Sequence, residues 1–527
     1  MMKTTFLMFC TLLAAGAYGA SRAEEAPRAE SDTARQTCEK YETGDNKPKW
    51  ERQPSNQSRV TRHRFSAGGK SFDYTATAGT LVIRDDYDRP IANIGYVAYS
   101  RDEHGKVGSR PILFAFNGGP GYSSIFLHMG LLGPKRVIVT DAGPPSPAPY
   151  NTTDNEFSVL DKTDVVLIDP VGTGLSHAVC RKKDADFWSV DADVDSISRL
   201  IAQFVSDHER WSSPKYLLGE SYGTTRAAAI VDYLRAQRSL TFNGVIFLSA
   251  ALDMEVIFTA LPGNERPYAT YLPSFAAAAW YYHLVPGAQG PLEPFLEEVR
   301  RYAEGPFATA LLKGNALSAA ERDAVAEQVH QYTGLSTEYI KAANFRISEA
   351  SFAQELLKSR GRVIARLDAR FSGSTQDARE KDAAYDPSLA YLSPPFMSAF
   401  QDYYHHDLGF GAEQTYQLSN SVAGNDWNLA HKPLGAGQQQ TLVNSTVDLA
   451  QTMVQDPNLK VLVLQGYFDL GSPFATTEYM MSHLQIPQEA VSRIQMKYYD
   501  SGHMIYVHLP SLRRLQQDLD QFLDSTH

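Results

Sequence analysis

At residues 216–224 the chain reads Tyr216-Leu217-Leu218-Gly219-Glu220-Ser221-Tyr222-Gly223-Thr224. The apolar start of this stretch is typical of a buried strand, and the segment that begins at Thr224 is typical of a helix. The two glycines around the serine permit a sharp strand-to-helix turn, which lifts the hydroxyl above the sheet. The helix N-terminus then lies beneath the reacting centre. We therefore predict that Ser221 is a nucleophile; the alternative is a structural turn with an idle serine.

Buried-strand runs recur on both sides of this turn. They lie at 80–83, 94–99, 111–116, 165–168, 245–248 and 461–464. Helical segments separate several of them, and strands that alternate with helices indicate a mostly parallel sheet. The alternation stops near residue 252, where amphipathic helices such as 318–331 begin. The sequence therefore predicts an α/β core over residues 58–251 and 441–527, interrupted by a largely helical cap insertion over residues 252–440.

A glycine-rich turn, Asn117-Gly118-Gly119-Pro120-Gly121, follows the predicted strand that ends at Phe116. A serine hydrolase with a strand–turn–helix nucleophile takes one oxyanion donor from such a turn and the second from the residue after the serine. We therefore expect the backbone N–H groups of Gly119 and Tyr222 to form an oxyanion hole. A turn without a role is the alternative. A phosphate-binding loop is disfavoured, because neither the G-K-S/T ending nor the G-x-G-x-x-G pattern is present.

Asp469 is the candidate acid of a catalytic triad. In this type of hydrolase the acid and then the histidine follow the nucleophile along the chain. Asp469 lies three residues after Gly466, at the end of a late buried strand. The rival carboxylates, Asp456 and Asp500, do not follow such a strand.

His503 is the candidate base. It lies on a loop between the strand-like run 494–499 and a predicted terminal helix over 511–523. His508 and His483 are the alternatives. With Ser221 and Asp469, His503 would complete a triad that transfers an acyl group through a covalent intermediate. This order of residues on alternating strands and helices predicts the α/β-hydrolase fold.

Taken together, these motifs resemble the serine carboxypeptidase family of the carboxypeptidase Y-like type. The matching stretches are Asn117–Ser124, Leu132–Pro134, Ile168–Ser176, Gly219–Gly223, Gly466–Asp469 and Gly502–Met504. The resemblance implies the release of C-terminal amino acids from peptide substrates, usually best at acidic pH. It also implies that Asn117 and Glu220 hold the terminal carboxylate of the substrate. Glu220 could do so only when protonated, because two carboxylates repel each other.

Several positions differ from the family pattern. Leu131 stands where family members often have a second acid, which pairs with the equivalent of Glu220. Tyr122 replaces a cysteine, and Ala115 replaces a tryptophan. Arg226 is also unusual for the family, and either an anion or a neighbouring carboxylate would be its partner.

The same triad would serve an esterase or an acyltransferase, so these remain alternative functions. A catalytically silent binding protein is disfavoured, because all three triad residues are present. We expect no cofactor and no metal. His405 and His406 are adjacent and would point apart, and no H-x-x-x-H pair accompanies them.

The composition and the N-terminus bear on partners and location. The 527 residues carry a formal charge of −11, which argues against nucleic-acid binding. Residues 1–23 read as a signal peptide, with a membrane anchor as the alternative, and residues 24–57 as a polar lead-in. We therefore expect export to a periplasmic, extracellular or equivalent secretory compartment, with no membrane span in the mature chain. Cys38 and Cys180 would permit one disulfide or remain free thiols. The oligomeric state is not indicated.

Overall fold

The computed structural model describes residues 54–102, 108–259, 261–287 and 290–526. The predicted signal peptide, the lead-in up to residue 53 and Cys38 lie outside these described residues. Cys180 is disulfide-bonded.

A ten-stranded mixed sheet forms the centre of the molecule. Its strands are β1 (Gln57–Ala67), β2 (Lys70–Arg84), β3 (Pro90–Arg101), β4 (Ile112–Phe116), β7 (Asp164–Ile168), β8 (His177–Ala178), β9 (Lys215–Glu220), β10 (Gly244–Leu248), β13 (Lys460–Gly466) and β14 (Ile494–Tyr499). Two short pairs lie apart from it, formed by β5 (Lys135–Val137) with β6 (Thr152–Asp154) and by β11 (Arg362–Ile364) with β12 (Ser372–Ser374).

The order of the strands explains where the polar residues of the motifs meet. The order is β1-β2-β3-β7-β4-β9-β10-β13-β14, with β8 paired to β3. The strands from β7 to β14 run parallel, whereas β1, β2 and β3 pair antiparallel. Parallel strands bring their carboxyl ends to one edge of a sheet. The turns after β4, β9, β13 and β14 therefore share that edge, and the predicted α/β-hydrolase fold is confirmed.

Helices cover both faces of the sheet and fill the long connection between β10 and β13. The α-helices are α1 (Ile125–Leu127), α2 (Val190–Asp207), α3 (Tyr222–Arg238), α4 (Met254–Ile257), α5 (Arg266–Tyr281), α6 (Leu292–Tyr302), α7 (Ala308–Lys313), α8 (Ala319–Thr333), α9 (Thr337–Ala342), α10 (Glu349–Glu355), α11 (Pro387–Asp402), α12 (Ser421–Asp426), α13 (Thr446–Gln455), α14 (Phe474–Ser482), α15 (Gln488–Val491) and α16 (Leu509–Ser525). Short 3-10 or π-helical turns lie at His128–Leu132, Asp184–Phe187, Ala303–Phe307, Gly314–Ala316, Lys358–Arg360, Tyr403–Asp407 and Ile505–Val507.

Three hydrophobic cores hold this arrangement together. One lies between the sheet and α16 and includes Leu515 and Phe522. The second lies on the opposite face, beneath α2, α3 and α13, where the helices bury Ile197, Ile230 and Leu449. The third lies in the connection between β10 and β13, which thus has a core of its own and forms one wall of the site described below. No helix in the described part of the chain has both the length and the apolar character needed to cross a bilayer.

Candidate active site

Ser221 lies on the turn between β9 and α3 and has a backbone conformation that serine rarely adopts. Its φ is +59° and its ψ is −130°. A Cβ at Gly219 would clash with the Gly223 carbonyl, so the chain can fold back this tightly only around glycine. The Ser221 N–H donates to the Leu248 carbonyl at the end of β10 (3.0 Å), which anchors the turn to the neighbouring strand. Strain of this kind often accompanies a functional position.

Asp469 and His503 form a buried acid–base pair. The Nδ1 of His503 donates to Oδ2 of Asp469 over 2.7 Å. The other carboxylate oxygen accepts from the N–H groups of Gly471 (2.7 Å) and Ser472 (3.1 Å). The Ser472 hydroxyl donates to Oδ2 of Asp469 as well, over 2.8 Å. Because Asp469 is fully buried and fixed by these donors, it can hold the imidazole in one orientation.

The electrostatics of His503 follow from this pairing. Burial alone would lower the pKa of His503, but the charge and hydrogen bond of Asp469 outweigh it and raise the pKa. A histidine with a raised pKa accepts a proton more readily, as a general base must. The rival histidines have other partners: His508 bonds to Ser511 (2.8 Å), and His483 bonds to the Tyr479 carbonyl within its own helix (2.8 Å).

Ser221 and His503 line the same cavity, whose volume is about 1060 Å³ including the part open to solvent. Among the described residues, no hydrogen bond joins the Ser221 hydroxyl to the His503 ring. Such bonds commonly tighten only when substrate is bound. The cavity wall also contains Asn117, Gly119 and Glu220. The structure therefore brings the sequence-predicted residues of the nucleophile, the base and the carboxylate site to one cavity.

The two predicted oxyanion donors, Gly119 and Tyr222, belong to segments that touch each other, and Gly119 lines the cavity. A Cβ at Gly118 would lie only 2.5 Å from the Tyr222 N, so the turn after β4 touches the start of α3. Gly119 follows with φ +108°, a conformation that favours glycine. Neither the Gly119 nor the Tyr222 N–H donates to another group among the described residues. Both amides are thus without a protein acceptor in the described part of the chain, as an oxyanion hole requires.

Glu220 is a buried carboxyl group held by two donors. The Asn117 side-chain amide donates to its Oε2 over 2.8 Å. The Tyr506 hydroxyl donates to both carboxyl oxygens, over 2.9 and 3.2 Å. Burial raises the pKa of Glu220 to about 7, although the charge of His503 and the two hydrogen bonds act in the opposite direction. Glu220 can therefore carry a proton in weakly acidic solution, when an ordinary glutamate cannot.

Tyr506 was not anticipated from the sequence. It lies three residues after His503, and no motif distinguishes it there. A Cβ at Gly130 would clash with the Tyr506 ring, so this glycine leaves the space that the ring occupies. The neighbouring Leu131 is fully buried in the hydrophobic core. Leu131 thus supplies no acid, and the side-chain partners of Glu220 among the described residues are Asn117 and Tyr506.

Arg226 has a neighbouring carboxylate as its partner, which is one of the two alternatives that the sequence left open. Its Nε donates to Oδ2 of Asp193 over 2.6 Å, and both side chains are buried. Its Nη1 donates to the Asn117 carbonyl over 2.8 Å. The guanidinium also lies 4.9 Å from the ring centre of Phe116. Arg226 thus supports the backbone of the turn that carries Asn117 and does not line the cavity.

The described residues contain no group of three or more His, Cys, Asp or Glu side chains that could hold a metal ion. The cavity wall includes a strained serine and a histidine that is paired with a carboxylate, which are groups that acyl-transfer chemistry uses.

Part of the chain is similar to a known protein family. Residues 96–255, which include the turn after β4 and the Ser221 turn, match the family described as serine carboxypeptidase. No curated protein sequence matches the chain.

A solved carboxypeptidase structure shares the architecture. The prohormone-processing carboxypeptidase KEX1 of Saccharomyces cerevisiae is 14% identical with a TM-score of 0.51, over 86% of this chain and 91% of its own. A proline iminopeptidase of Mycobacterium smegmatis is 15% identical with a TM-score of 0.35, over 85% of this chain and 98% of its own. At 14% identity the likeness to KEX1 establishes the fold alone. The match of residues 96–255 confirms the resemblance to serine carboxypeptidases that the motifs predicted, over that part of the chain.

Proposed function

We propose that this protein releases C-terminal amino acids from peptides through an acyl-enzyme formed on Ser221. The observation that carries the proposal is the hydrogen bond of 2.7 Å between His503 and the buried Asp469, in a cavity that also presents Ser221. Exposed charge pairs occur on every protein surface. A fully buried Asp–His pair beside a strained serine is the arrangement that nucleophilic catalysis requires.

In the first half of the reaction, the Ser221 oxygen attacks the scissile carbonyl carbon while His503 accepts the hydroxyl proton. The N–H groups of Gly119 and Tyr222 stabilise the resulting negative oxygen, and each such donor is worth about 3 kcal/mol of the barrier. The C–N bond then breaks, and His503 returns the proton to the leaving amine, which departs as the free C-terminal amino acid. Asp469 stabilises the imidazolium throughout.

In the second half, a water molecule attacks the acyl-enzyme and His503 accepts its proton. The bond between the Ser221 oxygen and the acyl carbon breaks, and His503 returns the proton to the serine oxygen. The products are a peptide shortened by one residue and the free enzyme. If an alcohol instead of water attacked the acyl-enzyme, the enzyme would be an acyltransferase. If the substrate were an ester, the enzyme would be an esterase.

Recognition of the chain end is assigned to Asn117 and Glu220. A terminal carboxylate can share the proton of a neutral Glu220 in a strong, charge-assisted hydrogen bond. The amide of Asn117 already donates to Glu220 and keeps it in place. Since burial raises the pKa of Glu220 to about 7, this mode of binding is available in acidic solution and is lost as the pH rises through that value.

Export of the mature chain is part of the proposal. It is supported by Lys3 and the short apolar run from Phe6 to Ala17, which have the character of a signal peptide. The disulfide at Cys180 agrees with an oxidising compartment.

The test compares one N-blocked dipeptide with its C-terminally amidated twin, from about pH 4 to about pH 8, for the mature protein and for Ser221→Ala. We expect the last amino acid to be released from the free acid only, most strongly at low pH, and not by the variant. Equal cleavage of both peptides would contradict a carboxypeptidase that binds the terminal carboxylate. Turnover of simple esters alone would instead indicate an esterase.

A further inference from the structure

The cavity has a cationic group in the wall that the long connection between β10 and β13 supplies. Arg366 follows β11 and lines the cavity together with Leu367. Its guanidinium lies beside the catalytic loops, since a Cβ at Gly471 would be 3.2 Å from both the Arg366 Nη1 and the Asp469 Oδ1.

The backbone of this segment is fixed against the candidate catalytic residues. The His503 N–H donates to the Leu367 carbonyl over 2.7 Å, and the Leu470 N–H donates to the Arg366 carbonyl over 2.9 Å. Asp386 accepts from the N–H groups of Arg366 (2.9 Å) and Leu367 (3.0 Å). The position of Arg366 relative to Ser221 and His503 is therefore set by the fold.

The charge of Arg366 has no partner in the described part of the chain. Among the described residues, no carboxylate lies within ion-pair distance of its guanidinium and no acceptor bonds to it. The two nearest arginines along the chain differ in this respect: Arg362 donates to the Ser372 carbonyl (2.6 Å), and Arg370 donates to Asp368 (2.6 Å). The cavity carboxyl of Asp386 is occupied by other donors, namely the two amides above and the backbone and hydroxyl groups of Ser388.

The surroundings make an unpaired cation unusual. Much of the neighbouring cavity wall is apolar, with Ala350, Ala353, Ile364 and Leu389 among its residues. A half-buried guanidinium in such a wall gains most from an anion that arrives with the substrate, because the planar fork matches a carboxylate with two parallel hydrogen bonds.

We infer that Arg366 binds the side-chain carboxylate of an acidic residue that flanks the scissile bond, so that the enzyme prefers peptides with glutamate or aspartate at one of the last two positions. This inference rests on the proposed function. There the terminal carboxylate is assigned to Asn117 and Glu220, so a second anion on the substrate must come from a side chain. Arg366 is thus a specificity-determining residue on the insertion, separate from the triad.

The experiment uses three N-blocked dipeptides with free C-termini: Leu-Leu, Glu-Leu and Leu-Glu. Values of kcat/KM are measured at about pH 6, where a substrate glutamate is ionised and Glu220 still carries a proton for much of the time. The enzymes are the wild type, Arg366→Leu and Arg379→Leu. Arg379 is the matched control, because it is 91% exposed at its side chain and already pairs with Asp377.

We expect the wild type to prefer one of the glutamate peptides over Leu-Leu by at least about tenfold. Arg366→Leu lowers kcat/KM for the preferred glutamate peptide by much more than for Leu-Leu and so removes the preference, whereas Arg379→Leu keeps the preference. Arg366→Glu should then favour the corresponding lysine peptide. This charge reversal keeps the test informative if Arg366→Leu folds poorly.

Two results would overturn the inference: no preference of the wild type for either glutamate peptide, or an equal loss on all three peptides in Arg366→Leu. Both are distinct from failure of the proposed function, in which the wild type releases no amino acid from Leu-Leu or from either glutamate peptide.

Discussion

Glu220 is the residue whose protonation state has the clearest functional consequence. It is 3% exposed, and burial raises its pKa to about 7. If the neutral acid binds the substrate carboxylate, the affinity is full below this value and falls as the pH rises through it, because the ionised acid repels the ligand.

The first prediction concerns Glu220→Gln. In the Ser221→Ala background, the Kd of a free-acid peptide should rise about tenfold between pH 6 and pH 8 with Glu220 present. With glutamine the Kd should stay constant over the same range, because the amide does not titrate. Calorimetric titration measures this without interference from catalysis, and the amidated peptide is the control. An unchanged pH dependence in Glu220→Gln would exclude this role.

The second prediction concerns Tyr506→Phe. The Tyr506 hydroxyl donates to the carboxylate of Glu220 and therefore favours its ionised form. Removal of the hydroxyl should raise the pKa of Glu220 and move the midpoint of the Kd–pH curve upward by about 0.5 to 1 pH unit. A shift of this size corresponds to the free energy of one hydrogen bond. Gly130→Ala should also change the curve, because its Cβ would displace the Tyr506 ring.

Tyr499→Phe is the matched control for this experiment. Tyr499 lies at the end of β14, is also buried and does not line the cavity. Its hydroxyl donates to Asp518 over 2.7 Å. A downward shift in Tyr506→Phe, or the same shift in Tyr499→Phe, would contradict a specific contact with Glu220.

At the scale of elements, a buried ion pair joins α2 and α3 and supports the turn after β4. Arg226 on α3 contacts Asp193 on α2 and the Asn117 carbonyl at the end of β4. Burial raises the pKa of Asp193 even though Arg226 acts to lower it, so the carboxylate depends on its partner to remain charged.

The third prediction compares a single with a double replacement. Arg226→Met leaves Asp193 buried without its partner and should lower the free energy of unfolding by about 3 kcal/mol. Arg226→Met with Asp193→Leu should recover to within about 1 kcal/mol of the wild type, because the remaining side chains are then both apolar. Urea unfolding measures both, with Arg238→Met as the control on an exposed arginine of the same helix. A double variant with the same low free energy of unfolding as Arg226→Met would contradict this prediction.

At the scale of the whole molecule, His431 connects the end of the long insertion to the core. Its Nδ1 contacts Asp191 on α2 over 2.6 Å, and its Nε2 contacts Asp448 on α13 over 3.0 Å. Burial alone would lower the pKa of His431, but the two carboxylates outweigh it and raise the pKa to about 9. The histidine is therefore protonated at neutral pH and bridges two helices.

The fourth prediction concerns the stability that this bridge contributes. The pKa of His431 is about 9 in the folded protein and about 6.5 in the unfolded protein. The bridge therefore contributes fully to the free energy of unfolding below about pH 6.5, and this contribution is lost as the pH rises through about 9. His431→Gln should therefore lower the free energy of unfolding by about 2 kcal/mol at pH 6.5, and by much less at pH 10. Thermal unfolding at both values measures the difference. The control is His406→Gln, at an exposed histidine paired with Asp402, which should not change the free energy of unfolding at either pH. An equal loss of stability at the two pH values in His431→Gln would refute the linkage.

The sequence by itself determined the α/β architecture and the identity of the candidate site residues. Glycines at Gly219 and Gly223 and the apolar run before them are local requirements, because strand, turn and helix form within a few residues of one another. The positions of Asp469 and His503 were predictable for a related reason. In a parallel sheet each strand delivers the loop after it to the same edge, so the order of the strands in the chain is enough to predict which loops meet.

Only the tertiary structure decided which groups surround those residues. Tyr506 reaches Glu220 because Gly130, far away in sequence, leaves room for its ring. Arg226 binds Asp193, and Arg366 enters the cavity wall, through contacts between segments that no local pattern relates. The physical reason is that burial, hydrogen bonding and charge pairing depend on distances in space, whereas a sequence motif records only distances along the chain.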